Sequence, residues 1–385
     1  MTTTKKQPEH KPFMLSIIPG IILCFIVMMI GIYGAELIGK LLIQLNVLPP
    51  GSASPISGIF VAIILGMILR NTIGLSESFL VGVGFSVKYA LRAGIILLGL
   101  RLSLVEAVKL GAWGIPLIVI CISVGLFVTL YFTKKLEQSN RLGTLIACGT
   151  GICGVTAIMA TSPVIKAKDN EISYAVANIT IFGLVGMLLY PYVAHTLFSN
   201  DPIKAGLFLG TAIHDTAQVT GSALIYDQIF QNEQVIDVAT VTKLTRNLFI
   251  IAVIPLVSFL FFRKQTGEQE EAQAIPKWYT FVPLFVIGFL ALALMRTIGD
   301  VTVANTGSAF GILANHTWEK VYSSLSGFGS TYMLGIAMAG VGLSTNFKMF
   351  KGLGLQPFYI GFIAAVSIGI VSATLVASFG HFIHL

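Results

Sequence analysis

Two short polar stretches interrupt long apolar runs of this 385-residue chain and contain the residues that could do chemistry. The first, at 149–154, reads Gly-Thr-Gly-Ile-Cys-Gly, and the second, at 210–215, reads Gly-Thr-Ala-Ile-His-Asp. Inside a membrane, backbone that leaves the helix is tolerated only where it is packed in protein or lines a cavity. A pair of such interrupted segments in one chain points to the binding site of a transporter.

The second stretch continues with polar side chains that a lipid-facing helix does not tolerate. Histidine, aspartate and three further polar residues lie close together: His214, Asp215, Thr216, Gln218 and Thr220. Ionisable residues inside a membrane mark functional sites and need partners. His214 can change its charge near neutral pH, and Asp215 can carry a proton or bind a cation. We predict that these two residues couple transport to H⁺ or Na⁺; the alternative is a structural polar core.

Two basic residues in the next apolar segment could be those partners. Lys243 and Arg246 lie three positions apart, and hence on one face of a helix. Either they pair with Asp215 or they bind an anion in a cavity, and the alternative is a buried charge pair that fixes helix packing. Arginine favours bidentate recognition of an oxyanion, whereas lysine acts as a point charge.

The first stretch is neutral, and its glycines allow the backbone to open. A helix that begins near residue 155 would direct free N–H groups and the positive end of its dipole at the gap, which suits an anion. Close helix packing by small residues is the alternative. The predicted substrate-binding set is Gly149, Thr150, Gly151, Cys153, Gly154, Asn178, Gly210, Thr211, Gln218, Lys243 and Arg246.

A third group of basic residues lies in the apolar segment 78–103. Lys88 and Arg92 are four positions apart and are expected to form an inward-facing basic face. Arg101 lies near the end of the segment, where a long basic side chain is expected to snorkel to the membrane interface.

The elements that must position these residues are membrane helices. The chain is 55% hydrophobic and 11% charged, with a mean hydropathy of +0.86, whereas soluble proteins have about 25% charged residues. Continuous apolar runs predict an all-α polytopic membrane protein with about 9–11 transmembrane segments. The net charge of +7 lies in short loops, as membrane orientation requires, and not in a stripe that would bind nucleic acid.

The sequence contains none of the motifs that would indicate an enzyme or a metal site. It has no Gly-x-Ser-x-Gly, no His-Glu-x-x-His and no nucleotide-binding loop. Cys148 and Cys153 do not have a metal-binding spacing. We therefore expect no enzymatic activity, no metal and no cofactor other than a coupling ion.

The segments are predicted to form one transmembrane unit, residues 13–385, behind a cytoplasmic N-terminal tail, residues 1–12. Basic residues in alternate loops place the N-terminus inside and the C-terminus outside. The interrupted segments define a core at about residues 141–262, and two arms flank it at about residues 78–133 and 318–383.

The arms contain a weak internal repeat, and the core contains another. Gly94 and Pro116 recur as Gly335 and Pro357 at a constant offset, and the loop charges make the two copies face opposite ways. Such an inverted repeat is typical of transporters. The two interrupted segments either cross the membrane or form re-entrant hairpins that meet near its midplane. Hairpins are preferred, and the sequence leaves both arrangements open.

These stretches together resemble the YeiH-type sulfate exporter family of bacterial inner-membrane proteins. The likeness rests on residues 149–154, the span from Ala175 to Pro191, and residues 210–219. In that family the histidine is typically followed by glutamate, whereas this chain has Asp215. The family is distantly similar to cation:proton antiporters and bile-acid symporters, which have a panel domain and a core domain with crossing interrupted helices.

The resemblance implies secondary active transport of a small anion, such as sulfate, sulfite or a small sulfonate, by alternating access. It also implies a bacterial inner-membrane location and is compatible with a homodimer. In an architecture of two five-helix repeats, the two interrupted segments would lie further apart in the sequence than they do in this chain. This difference puts a direct transfer of the family topology in doubt. A sodium-coupled symporter of an organic carboxylate is the alternative.

Overall fold

The apolar runs form helices, since hydrocarbon offers the backbone no hydrogen-bond partner outside its own segment. The computed structural model describes residues 13–49, 54–199, 201–263, 283–350 and 355–383. Within these ranges the helices are α1 (Phe13–Gln44), α2 (Gly58–Thr72), α3 (Glu77–Phe85), α4 (Leu91–Leu98), α5 (Leu104–Lys135), α6 (Asn140–Cys148), α7 (Val155–Thr161), α8 (Asp169–Phe198), α9 (Pro202–Ala212), α10 (Thr216–Phe230), α11 (Gln234–Leu248), α12 (Ile250–Arg263), α13 (Leu284–Thr306), α14 (Asn315–Phe328), α15 (Leu334–Ser344) and α16 (Leu355–Phe379). A short antiparallel hairpin pairs β1 (Ser308–Ala309) with β2 (Leu313–Ala314).

The all-α membrane fold predicted from the sequence is confirmed. Six helices in the described ranges are long and apolar enough to cross a membrane, and a seventh span results if α11 and α12, bent by 41° at their junction, are counted together. The predicted apolar segment 78–103 coincides with α3 and α4, and the two interrupted segments coincide with the pairs α6 and α7, and α9 and α10. The predicted tail at residues 1–12 lies outside the described residues. The orientation in the membrane and the boundaries of core and arms remain predictions.

The first interrupted segment is a re-entrant hairpin. α6 runs into the protein, a π-helical turn at Gly149–Cys153 follows, and α7 returns. The Ser139 hydroxyl donates to the Glu171 carboxylate, so the start of α6 lies beside the start of α8. Ile158 of α7 packs in the same apolar cluster as Leu142 of α6. The segment therefore begins and ends at the same end of α8.

The second interrupted segment is a hairpin from the opposite end. α9 begins just after α8 ends, and the Phe208 ring of α9 lies 6.0 Å from the ring of Phe198, the last residue of α8. α10 returns to this end, where Phe230 stacks on His195 of α8 with ring centroids 3.7 Å apart. Because one hairpin starts from each end of α8, their order in the chain is compatible with inverted copies. This geometry favours the hairpins over full crossings.

The tips of the two hairpins meet beside the middle of α5. Gly151, in the first tip, packs against Leu126 and the Ile122 carbonyl of α5. A Cβ atom placed on Gly154 would lie 2.9 Å from the Asp215 carboxylate of the second tip. We call residues 149–154 and 211–215, where the tips touch, the crossover. The predicted depth of this meeting near the membrane midplane stays a prediction.

The two repeat copies pack against each other in antiparallel fashion. α3 and α4 form one continuous helix, residues 77–101, which we call the Lys88 helix. Its Leu97 contacts Gly329, its Gly94 contacts Leu334, and its Val87 contacts Gly340, so residue numbers fall on one helix as they rise on the other. Each copy also contains a π-helical turn, at Ser86–Ala90 and Gly329–Met333. This antiparallel arrangement is compatible with an inverted repeat, which stays a prediction.

Candidate functional site

Arg246 lies between the two hairpin tips. Its side chain is fully buried, and α11 carries it into the crossover. The guanidinium donates only to backbone carbonyls: Nε to Gly151 (3.1 Å), Nη1 to Thr211 (2.7 Å) and Ile213 (3.2 Å), and Nη2 to Thr150 (2.7 Å) and Gly151 (2.9 Å). Because arginine has five N–H donors, this set uses its whole hydrogen-bonding capacity.

Lys243, one helical turn earlier on α11, also donates to backbone carbonyls of both hairpin tips. Its Nζ donates to the carbonyls of Ile152 (3.1 Å), Ile213 (3.3 Å) and His214. These carbonyls, with those bound by Arg246, lie where α6 and α9 end and have lost their helical partners. The two cations supply those partners and offset the negative ends of the two helix dipoles.

This geometry revises the roles predicted for Lys243 and Arg246. Their donors are used on carbonyls, so neither residue is free to hold an anion directly in this conformation. Lys243 also donates to carbonyls rather than to the Asp215 carboxylate. Of the sequence interpretations, the one in which two buried cations fix helix packing fits best. The packing they fix is the contact between the two interrupted segments.

A cavity of about 330 Å³ lies between the crossover and the Lys88 helix. Its polar wall is formed by Lys88, Arg92, Cys153, Thr156, Asp215, Thr216 and Asn247. Its apolar wall comes from the Lys88 helix, α12 and α13. Ligand sites are typically apolar cavities with a few convergent polar groups. This cavity therefore has the composition of a small-molecule site.

Lys88 and Arg92 face this cavity as unneutralised charges. Both side chains are exposed, and neither has an ion-pair or hydrogen-bond partner among the residues that the structure describes. Lys88 belongs to the π-helical turn at 86–90, and such turns are frequent at functional sites. Unpaired charges within a membrane helix are costly and indicate a function.

Asp215 forms the opposite polar wall. It is the N-cap of α10, and its carboxylate accepts the Ala217 N–H at 2.9 Å. Beside it, the Asn247 amide donates to the Thr216 hydroxyl at 3.1 Å. The Asn247 Oδ1 atom is buried and has no hydrogen-bond partner within the described part of the chain. The cavity thus places two cations opposite one carboxylate.

The comparisons with known proteins establish the family. The sequence model of the family described as conserved hypothetical protein 698 matches residues 19–361. The chain belongs to this family. Similar proteins include a UPF0324 membrane protein of Bacillus cereus, 33% identical over 83% of each chain. Others come from Streptococcus agalactiae serotype V and Fusobacterium nucleatum, each 32% identical over 94% of this chain and 98% of the relative.

The family region contains the whole candidate site. Residues 19–361 include both hairpins, the Lys88 helix and the two crossover cations. The relatives are named as UPF0324 membrane proteins, which agrees with the membrane helices of this chain. The membrane location is therefore established, whereas the sulfate exporter assignment stays a resemblance.

His214 is enclosed in the crossover rather than exposed to the cavity. Its side chain is 2% exposed, and its ring interacts with the Thr150 backbone of the other tip. Its Nδ1 atom is buried without a hydrogen-bond partner among the described residues. A direct coupling role for His214 remains a prediction, and its position links the two tips.

Most other predicted site residues make helix-packing contacts away from the cavity. Asn178 donates to the Pro357 carbonyl at 2.9 Å, and Gln218 donates to the Thr180 carbonyl at 3.2 Å. The Thr211 hydroxyl bonds that of Ser372 at 2.7 Å. Gly210 packs closely against Thr242, Gly149 against Ile179, and Thr150 bonds the Ile146 carbonyl. Of the predicted binding and coupling set, Cys153 and Asp215 line the cavity.

Arg101 forms ion pairs with acidic residues of α11 and the turn before it, whereas its predicted snorkelling to the membrane interface stays a prediction. Its side chain is 11% exposed, and its Nε atom lies 3.1 Å from the Asp237 carboxylate at the start of α11. It also pairs with Glu233. We call these three residues the Arg101 cluster. Glu233 and Asp237, just before and in the first turn of α11, could have indicated this pairing from the sequence, because an arginine at the end of a neighbouring helix needs a counter-ion.

Proposed function

We propose that the protein is a secondary active transporter of a small anion, such as sulfate, sulfite or a small sulfonate. The observation that carries this proposal is the cavity beside the crossover, which Lys88 and Arg92 line without an ion-pair partner among the described residues. Interrupted helices that meet near the midplane are where secondary transporters bind substrate. The resemblance to YeiH-type sulfate exporters agrees with an anionic substrate in a bacterial inner membrane.

Alternating access needs two bodies that move relative to each other. Lys243 and Arg246 bind both hairpin tips to α11, so these elements would move together as one core. The Lys88 helix contacts this core at the Arg101 cluster. Arg101 is nine residues beyond Arg92, roughly 14 Å along a helix. The cluster would therefore close one side while the cavity holds the substrate.

Asp215 is the best placed coupling residue, since its carboxylate lines the cavity. Sodium sites in transporters use backbone carbonyls of unwound helices. Here those carbonyls accept hydrogen bonds from Lys243 and Arg246 instead. This occupancy supports proton coupling through Asp215 over the sodium-coupled carboxylate symporter. We do not propose an enzymatic role, and a homodimer is proposed only from the family resemblance.

Reconstituted liposomes test the proposal directly. Radiolabelled sulfate and sulfite uptake is measured under an imposed pH gradient and, separately, under an imposed Na⁺ gradient. We expect saturable uptake that the pH gradient stimulates. In Asp215→Asn the pH gradient should no longer stimulate uptake. Asp169→Asn, an exposed acid at the start of α8, is the matched control and should retain it. No saturable uptake of sulfate, sulfite or small sulfonates under either gradient would contradict the proposal.

A further inference from the structure

We propose that the cavity binds a monovalent organic anion that carries a short apolar group, and that its acid group lies against Lys88 and Arg92. This proposal rests on the proposed function and narrows its substrate class. The cavity has one basic corner, one acidic wall and one apolar wall. Each of these three features restricts the ligand in a different way.

The basic corner selects an acid group. Lys88 and Arg92 lie one turn apart on the Lys88 helix, and both face the cavity. Their charged ends lie over aromatic rings: Lys88 Nζ is 5.3 Å from the centre of Tyr89, and Arg92 Cζ is 5.8 Å from the centre of Phe285. Rings hold a cation in place without neutralising its charge. The donors of both residues therefore remain available to a sulfonate or carboxylate.

The acidic wall disfavours a dianion. Asp215 lines the same small cavity as the two cations. A second negative charge on the ligand would be repelled by this carboxylate, because like charges close together disfavour each other. With two cations and one carboxylate on its walls, the cavity has a formal excess of one positive charge. A single negative charge on the ligand balances it.

The apolar wall requires more than an inorganic oxyanion. Val87, Leu91, Ile95, Ile250 and Phe285 line it. The cavity volume of about 330 Å³ is the volume that roughly ten water molecules occupy in the liquid, at ~30 Å³ each. A five-atom oxyanion would leave most of this space and the apolar wall in contact with water. A short alkyl group would fill the space and gain from leaving water.

Binding to the purified full-length protein in nanodiscs tests this inference separately from transport. The probes for isothermal titration calorimetry are sulfate, methanesulfonate, butanesulfonate, butanoate and butanol. We expect butanesulfonate or butanoate to bind at least about tenfold more tightly than sulfate, and butanol not to bind, because both the charge and the alkyl group contribute. The two acids together show whether the corner prefers a sulfonate or a carboxylate.

Variants connect the binding to the proposed residues. Lys88→Gln and Arg92→Gln should each weaken butanesulfonate binding by about tenfold or more, because each removes a charge-assisted hydrogen bond. Lys109→Gln, an exposed lysine on α5 outside the cavity lining, is the control. Val87→Phe should weaken butanesulfonate more than methanesulfonate, because the larger side chain takes up space that the alkyl group needs.

The outcomes separate this inference from the proposed function. Tighter binding of sulfate than of butanesulfonate, or unchanged binding in the Lys88→Gln/Arg92→Gln double variant, overturns the inference. Sulfate uptake in liposomes together with either of those results would leave the proposed function standing. Selective binding of the organic anion without uptake of any anion would support the inference and refute transport.

Discussion

Replacing Arg246 with glutamine should destabilise the crossover and abolish transport. Arg246→Gln removes a buried charge and the donors to four carbonyls. In this variant the Ile213 carbonyl would still accept the hydrogen bond from Lys243. The Thr150 backbone would still have His214 as its partner. Gly151 and Thr211 would lose their side-chain donor. An unsatisfied buried carbonyl costs about 1–3 kcal/mol, so two cost about 2–6 kcal/mol.

That loss is a large share of the ~5–15 kcal/mol that stabilises a typical folded protein. The entropy of unfolding is ~2.1 cal/mol/K per residue, or about 0.8 kcal/mol/K for 385 residues. A loss of about 2–6 kcal/mol in Arg246→Gln should therefore lower the melting temperature by about 2.5–7.5 °C. The fluorescence of the three tryptophans reports thermal unfolding in detergent. Arg246→Lys should be intermediate, because one ammonium has three donors in place of five.

Lys109→Gln provides the control for this measurement, since it removes a cation that lies exposed on α5. Its melting temperature and transport should match those of the unmodified protein. An Arg246→Gln variant that melts like the unmodified protein and transports normally would refute the assignment of Arg246 to the crossover carbonyls. A variant that melts normally but loses substrate binding would favour the direct anion contact predicted from the sequence.

Three further predictions concern the crossover and its surroundings. Gly154→Ala should lose transport and about 1–3 kcal/mol of stability, because φ is +68° and the new Cβ would lie 2.9 Å from the Asp215 carboxylate; Gly84→Ala, which meets open space, should be tolerated. Arg101→Gln should change the KM for substrate added on one face of the liposome membrane more than the KM for substrate added on the other, because the Arg101 cluster would close one side of the cavity. Lys243→Met should lower the melting temperature even without substrate, and equal melting temperatures would contradict its structural role.

The sequence could identify the crossover because polar residues inside apolar segments have few explanations. Asp215 belongs to it, Lys243 and Arg246 bind its carbonyls, and the two glycine-rich stretches form its tips. Their roles were less predictable. An arginine binds a carbonyl or an oxyanion with the same N–H groups, and only the position of its neighbours decides between them.

The hairpins themselves depend on contacts that no local pattern contains. A half-helix of about ten residues has the same composition whether the chain then turns back or continues through the membrane. The deciding contacts join distant residues, Ser139 with Glu171 at one end and His195 with Phe230 at the other. For the same reason, the spacing of Lys88 and Arg92 predicted a basic face but not the cavity that it lines.

The distribution of buried charge explains how such a site could move a substrate. The core cations are held by carbonyls of both hairpin tips, so they fix the shape of the core and do not have to change partners during transport. The cations of the Lys88 helix lack partners within the described residues and are the ones that a ligand can neutralise. A ligand whose acid group neutralises Lys88 and Arg92 would therefore reduce the cost of bringing the two bodies together. Movement of the core without a ligand would leave the basic corner unneutralised, which favours movement with the substrate bound.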